Sequence, residues 1–524
     1  MRKNHSLLGA VVIVALLSFS CSHNNATDEL PNIIIIFADD MGYGDVSALN
    51  PEAKVFTPAI DKMAETGLVF TEAHASASVC TPSRYALLTG RYAFRNRVKG
   101  GNVGGFSRSV FDPERRTVGH LLKKAGYTTA CVGKWHLGFD WTPVNENETP
   151  EMDRETNYSN VDYSQPIKFG PNHFGFDYSF IHPASLDIPP YLFLRNGLAI
   201  DDQMVLSSDV YPIRLENTEY SWDKKHTQED DIYWEKGVWW RNGEMAESFR
   251  IEKCHGDILA DGTRFIEAHT SESNSPFFLY LSLTGPHTPW VPEDQFKGKS
   301  SVDTYGDFIL TIDNAVKVVN AKIQQLGIDD NTMVIFATDN GGYWPEEEIE
   351  RYQHNSNYGR RGQKGDIWDG GHHVPLVITW PAKISEPQQY DHLVSLTDLF
   401  STFADLTDQA IDKKSGEDSF SFLHVLDGDL STPVRNSMIH HSSRKFFAIR
   451  EGDWKYIDML GSGGFTDPSV INPEPGMPEG QLYNIREDPM ESNNLYFEHP
   501  EIVADLKYKL VEGKEAGYTR IIEN

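Results

Sequence analysis

Residues Asn32-Ile33-Ile34-Ile35-Ile36-Phe37-Ala38 form a continuous apolar run of strand length with no polar alternation. A strand with one wet face alternates, whereas a strand covered on both faces need not, and such strands belong to parallel sheets with helices packed above and below. Thr332 to Thr338 repeats the pattern, as do Tyr127 to Val132, Pro276 to Leu283 and Val374 to Trp380. Helix signals separate them. Thr57 and Pro58 open a segment with Ile60, Met63 and Ala64 on one face and Gly67 as its stop. Thr117 caps Val118 to Ala125, His255 to His269 reads as helical, and Ile309, Ile312, Val316, Val319 and Ile323 give Tyr305 to Leu326 an apolar stripe. Leu393 to Leu406 closes the series. The alternation predicts an α/β chain with a large mixed, mostly parallel sheet sandwiched by helices.

Two of these strands end in acid. Asn32 to Ala38 runs into Asp39-Asp40, and Thr332 to Thr338 into Asp339-Asn340. The carboxyl ends of strands carry the ligand site in open α/β sheets, although Asp is also a common turn residue. Asp39, Asp40, Asp339 and Asn340 offer only oxygen, which suits a hard cation, Ca²⁺ or alternatively Mg²⁺, and disfavours zinc.

A third feature is Ser78-Val79-Cys80-Thr81-Pro82-Ser83-Arg84-Tyr85-Ala86-Leu87-Leu88-Thr89-Gly90-Arg91. Thr81 can cap a helix, Pro82 fits its first turn and Gly90 can end it. Cys80 then lies at a helix mouth, where free N–H groups and the dipole favour an anion. Arg84 can point back at the same spot. A cysteine phosphatase would want Arg six positions after the Cys, and position 86 is Ala. Cys80, Pro82, Ser83, Arg84, Leu88, Thr89, Gly90 and Arg91 closely resemble the maturation signature of type I sulfatases, in which the cysteine is oxidised to formylglycine. Gly133-Lys134-Trp135-His136-Leu137-Gly138 is similar to a second signature of that family.

The resemblance extends from about Asn32 to Leu495 and implies an alkaline phosphatase-like fold. It places the metal on Asp39, Asp40, Asp339, Asn340 and the formylglycine at Cys80. The hydrated aldehyde would attack sulfur and carry a sulfate hemiester, with Asp339 near enough to help deprotonate it. Arg84, Lys134 and Lys364 would hold the sulfuryl oxygens, His287 with Lys364 would protonate the leaving oxygen, and His136 would take the proton that expels sulfate. Two-zinc members of the superfamily typically carry His where Asn340 stands, so the oxygen set favours the sulfatase branch over a phosphatase or phosphodiesterase. A sulfated-glycan-binding lipoprotein without turnover is the rival from another class.

The net charge of −29 over 524 residues argues against nucleic acid or anionic membrane surfaces as partners. An anionic substrate therefore needs a local positive field. Arg360, Arg361, His372, His173 and Asp187 are further candidates for substrate contact. The aromatic, weakly periodic stretch from Trp141 to about Lys253, with Trp234, Trp239 and Trp240, reads as loops and small strands walling a cleft. Aromatic faces there and an exported chain favour a sulfated saccharide, specifically 6-sulfated galactose or N-acetylgalactosamine.

Arg2 and Lys3, an apolar run from Leu7 to Leu17, and Ser18-Phe19-Ser20-Cys21 read as an export signal over residues 1–21. Cys21 resembles a bacterial lipoprotein site, with Ser18 where Leu is usual, so plain secretion is the alternative. Residues 22–30 form a linker, 31–433 the catalytic domain and 434–524 a smaller α+β subdomain. The expected location is periplasmic or at the cell surface, with membrane contact only through a lipid anchor, and the expected partner is a formylglycine-generating enzyme. Removing Cys21 leaves Cys80, Cys131 and Cys254, an odd number that describes no disulfide framework.

Overall fold

The computed structural model describes residues 29–153, 155–211 and 241–520. The export signal with Cys21, the linker up to residue 28, and Trp234, Trp239 and Trp240 lie outside the described residues.

Ten strands form one sheet in the spatial order Gln388–Tyr390, Leu68–Phe70, Leu376–Thr379, Thr332–Thr338, Asn32–Asp39, Phe277–Pro286, Thr128–Lys134, Tyr178–His182, Leu194–Arg195 and Leu198–Ala199. The central pairs are parallel, and Leu376–Thr379 joins them antiparallel. Ile33 to Phe37 are fully buried, as a strand covered on both faces requires. Each side chain of that size contributes about 1.5–3 kcal/mol by leaving water. Helices Pro58–Thr66, Cys254–Glu272 and Asp303–Leu326 pack together as one layer, and Cys80–Thr89, Val118–Lys124 and Leu399–Leu406 as another.

Register decides what meets at the sheet's carboxyl end. Ala38 pairs with Thr338 and Asp39 with Pro286, so Asp39-Asp40, Asp339-Asn340 and His287 leave the sheet side by side. Ser282 pairs with Gly133, which brings Lys134 to the same edge. Only glycine fits at 133: its φ is +107°, and a Cβ there would lie 1.9 Å from the Ser282 carbonyl oxygen.

Local boundaries differ from the sequence expectations in two places. The cysteine-bearing helix begins at Cys80 with Val79 as its cap, while the Thr81 hydroxyl donates to the His136 carbonyl (2.9 Å). The segment from Leu393 becomes helical only at Leu399, because Val394-Ser395 pairs with Ala73-His74 and Asp398 accepts from the Ser395 N–H. The stretch after Trp141 does carry short elements, among them Tyr178–His182, which extends the main sheet, and the pair Met204–Leu206 with Glu244–Ala246.

The C-terminal part is a four-stranded antiparallel meander, Ser437–His441, Phe447–Glu451, Trp454–Ile457 and Gln481–Asn484. Val503, Leu506 and Leu510 of helix Pro500–Glu515 pack against it together with Tyr92. A polar joint connects it to the body. Lys455 donates to Asp369 (2.7 Å) and pairs with Glu491 (2.8 Å), His74 and His372 meet through Nδ1 at 3.1 Å, and the His440 ring lies 3.7 Å from that of His372.

Burial, with positive neighbours such as Lys455, keeps His372 and His440 neutral, well below the usual histidine range; burial likewise lowers His74. Below the unfolded-state value of about 6.5 the unfolded chain takes up protons that these rings refuse, so stability falls as pH falls. The thermal midpoint should therefore drop between about pH 7 and pH 5, and His440→Gln should show a shallower decline by scanning calorimetry.

Candidate active site

The strand ends assemble a buried network of acids and bases. Arg84 donates through Nε (3.0 Å) and Nη2 (2.7 Å) to Asp339 Oδ2, and its Nη2 lies 3.3 Å from Asp39 Oδ1. Lys134 Nζ reaches Asp39 Oδ2 (2.5 Å) and Ser185 Oγ (2.6 Å), and Lys364 Nζ reaches Asp40 Oδ2 (2.6 Å). Asp40 takes a left-handed conformation, φ +62°, which Asp tolerates better than most residues. Its N–H donates to Asp339 Oδ1 (3.1 Å), and its own carboxylate accepts from Asn340 Nδ2 (2.8 Å).

Burial pushes the Asp39 carboxyl up, but Lys134, His287 and Arg84 together outweigh it and hold the group below the usual carboxylate range. Burial would lower Arg84 and Lys364, yet Asp339 and Asp40 respectively hold them above their ordinary values as permanent cations. Burial, then Lys134 and Arg84, drives His136 well below the imidazole range, so it stands neutral. Its Nε2 meets the Val103 carbonyl at 2.8 Å, and its buried Nδ1 has no hydrogen-bond partner. His287 Nε2 lies 3.6 Å from Asp40, and its Nδ1 is 2.6 Å from the Thr288 carbonyl and 3.8 Å from Asp187.

Cys80 is the first residue of its helix and is buried. Its sulfur lies within 4.8 Å of carboxylate oxygens of Asp39 and Asp339, and likewise of Asp40 and His287. Burial pushes the thiol pKa far up despite Lys134 and Lys364. The helix mouth therefore does not maintain a thiolate at this position.

These groups open into a cleft of about 420 Å³ whose lining includes Cys80, His136, His287, Lys364 and Asp187. Of the five further substrate-contact candidates, Asp187 alone lines it. Arg360 pairs with Glu72 (2.9 Å), and Arg361 lies 3.6 Å over the Trp368 ring and donates to the Glu491 carbonyl. His372 is locked in the polar joint, and His173 meets the Pro113 carbonyl and packs on Phe169 and Phe174. Ser185 and Ser282 escaped sequence reasoning. A lone serine carries no motif, although Ser282 does sit within a buried strand. Asn102, which accepts from the Thr81 N–H, and Arg241, paired with Asp187 at 2.5 Å, also reach the cleft unannounced by any pattern.

The donor set fits a divalent cation. Asp39 and Asp339 meet at Cys80 from one side and Asp40 meets it with His287, the Asn340 side-chain oxygen is buried without a partner, and every donor from the two acidic strand ends is oxygen. Asp39, Asp40 and Asp339 are matched by Arg84, Lys134 and Lys364, so a divalent cation would leave the centre near +2. That charge attracts an anionic ester despite the acidic protein around it.

A helix-covered, mostly parallel sheet whose carboxyl edge gathers carboxylates, cations and a helix N-terminus defines a hydrolase of the alkaline phosphatase type. The sulfatase family matches residues 31–409. The chain is 33% identical over 504 residues to the N-acetylgalactosamine-6-O-sulfatase of Bacteroides thetaiotaomicron, covering 92% of this chain and 93% of that protein. It is 30% identical over 490 residues to human arylsulfatase A, covering 89% and 83%. A solved Bacteroides thetaiotaomicron sulfatase, described with the metabolism of multiple glycosaminoglycans, superposes with a TM-score of 0.77 at 31% identity over 93% of this chain and 99% of its own. The phosphonate monoester hydrolase of Agrobacterium radiobacter shares the fold alone, at 16% identity and TM-score 0.57, over 93% and 96% of the two chains. The chain belongs to the sulfatase family and is a sulfuric ester hydrolase.

Ser282 tests how tightly the cations must be held. Its hydroxyl accepts from Arg84 Nη1 (2.5 Å) and donates to the Lys134 carbonyl (2.7 Å), tying two of the three bases to one strand. Ser282→Ala should lower kcat about tenfold with a smaller change in KM, measured by steady-state sulfate release.

Proposed function

We propose that this chain removes O-sulfate from a saccharide, with 6-sulfated galactose or N-acetylgalactosamine as the favoured unit. In this reading Cys80 acts after conversion to formylglycine by a maturation enzyme, and Asp39, Asp40, Asp339 and Asn340 hold Ca²⁺ or Mg²⁺ beside it. The observation that carries the reading is the meeting of Cys80 with Asp40, Lys364 and two histidines in one cleft, beside the buried pairs that Arg84 and Lys134 make with Asp339 and Asp39. The saccharide preference is supported by the Bacteroides thetaiotaomicron relative named for 6-O-sulfated N-acetylgalactosamine and by the aromatic groups Trp290 and Tyr343 at the cleft.

Formylglycine would supply a hydrated aldehyde as nucleophile, and the cation would lower the pKa of that hydroxyl and share the sulfuryl charge. The chain's own groups do the rest. Arg84, Lys134 and Lys364 present fixed positive charge to sulfuryl oxygens in a site that excludes water, where such charge acts most strongly. His287, which lines the cleft beside Cys80, is the group to protonate the leaving oxygen. His136, neutral and with a free Nδ1, is built to accept a proton. A buried cysteine thiol could not take the nucleophile's part, because burial holds it protonated. Export, with lipid anchoring through Cys21, completes the proposal: a polymer substrate lies outside the cell.

Three measurements bear on this. The peptide around Cys80 from protein made in its native host should be about 18 Da lighter than the cysteine form. Cys80→Ala should lose at least about a thousandfold in activity. Unmodified thiol together with full turnover would defeat the nucleophile assignment. Chelation should stop turnover and lower the thermal midpoint, with Ca²⁺ or Mg²⁺ restoring both. At a hundredfold excess over Kd a bound cation stabilises by about 2.7 kcal/mol, so an unmoved melt would defeat the metal assignment.

A further inference from the structure

Phe465 is 49% exposed at the rim of the cleft, an unusual position for a large apolar side chain beside an anion site. It is not loose. Asp366, two residues beyond Lys364, accepts from the N–H groups of Phe465 (2.7 Å) and Thr466 (3.0 Å) and from the Thr466 hydroxyl (2.6 Å). The ring packs on Gly365, where a Cβ would come 3.0 Å from it, and meets Tyr343 edge-on at 6.2 Å. A buried carboxylate thus holds an apolar ring out in water.

Behind the ring lies a second groove of about 510 Å³, and Phe465 lines both cavities. Each is within the size range of small-molecule sites, about 300–1,000 Å³. Gln363 also lines this groove, and its side-chain oxygen is buried without a hydrogen-bond partner. The groove's two arginines are already paired, whereas Glu346, Glu347 and Asp467 stand exposed along it. A hydroxyl-rich neutral group is welcome there and an anionic one is not.

We propose that Phe465 is a platform between two sugar sites: the sulfated unit occupies the Cys80 cleft, and an uncharged neighbouring sugar lies across the ring into the second groove. This rests on the saccharide reading above and adds to it that the substrate is at least a disaccharide whose second unit carries neither sulfate nor carboxylate. Apolar ring faces favour the C–H face of a sugar, and the exposed Phe465 ring presents such a face at the rim.

The test compares kcat/KM on an aryl sulfate, a 6-sulfated monosaccharide, and the same unit linked to a neutral sugar or to a uronic acid. Wild type should favour the neutral disaccharide over the monosaccharide. Phe465→Ala should cut that preference by about fivefold or more, and Phe465→Tyr should retain it. The double variant Glu346→Gln, Glu347→Gln should raise turnover of the uronic acid disaccharide relative to the neutral one. An unchanged preference in Phe465→Ala, or an equal loss on monosaccharide and disaccharide, overturns the platform. Turnover of the aryl sulfate with none of any saccharide would instead overturn the saccharide reading, and the platform with it.

Discussion

Asp39, Asp40 and Asp339 are carboxylates taken out of water within one small volume, and the rest of the site follows from what that costs. Burying one ion costs several kcal/mol even after relaxation, and a buried charge that loses its partner costs about 3–5 kcal/mol more. The chain answers with Arg84 on Asp339 and Asp39, Lys134 on Asp39, and Lys364 on Asp40. These partners come from three segments far apart in sequence. Only a sheet with the observed register can align them, since a slip of one residue would turn Asp39 to the other face. The apolar run of Ile33 to Phe37, buried between its neighbours, is what makes such a slip expensive.

The same arrangement explains the helix at Cys80. A helix mouth, a guanidinium and two ammonium groups would ordinarily lower a thiol's pKa. Here burial and the nearby carboxylates prevail, and the thiol stays protonated. The positive groups are committed to carboxylates in the resting state. In the proposed reaction their field would act on an oxyanion placed beside Cys80, and the helix N-terminus would serve the ester group and not the sulfur.

Much of this was legible in the sequence because the fold writes it in long, redundant signals. Unalternating apolar runs announce doubly covered strands, and acids directly after two of them announce the ligand edge. Cys80, Arg84, Lys134, His136, His287 and the four oxygen donors all stand at such ends or in a dense motif, Lys364 was named only through the family resemblance, and the structure gathers them. Arg360, Arg361, His372 and His173 could not be resolved that way. A basic residue in a glycine-containing loop reads alike whether it faces a cleft or a partner such as Glu72, and the partner is nearly three hundred residues away. Ser185 and Ser282 were silent for the opposite reason, since each acts through one hydroxyl aimed at a cation and needs no particular neighbour in sequence. Strand Ser437–His441 was equally silent, and its pairing with Phe447–Glu451 decides its conformation.

The C-terminal sheet is more than a cover. Lys455 enters the body to meet Asp369, Glu491 returns to bond the Asp369 N–H (2.6 Å), and Gly464 lies so close to Gly365 that a Cβ on it would come 2.2 Å from that backbone. The loop carrying Lys364 is thus clamped from the C-terminal side, on residues outside the cleft. A lysine held by Asp40 alone would be free to follow it; one whose backbone is wedged against a second sheet presents its charge at a set place. Sulfate chemistry is drawn from strand ends and the walls that select a substrate from loops. In this chain one loop, residues 363–366, joins the two, because Lys364 reaches Asp40 in the cleft while Asp366 sets the rim.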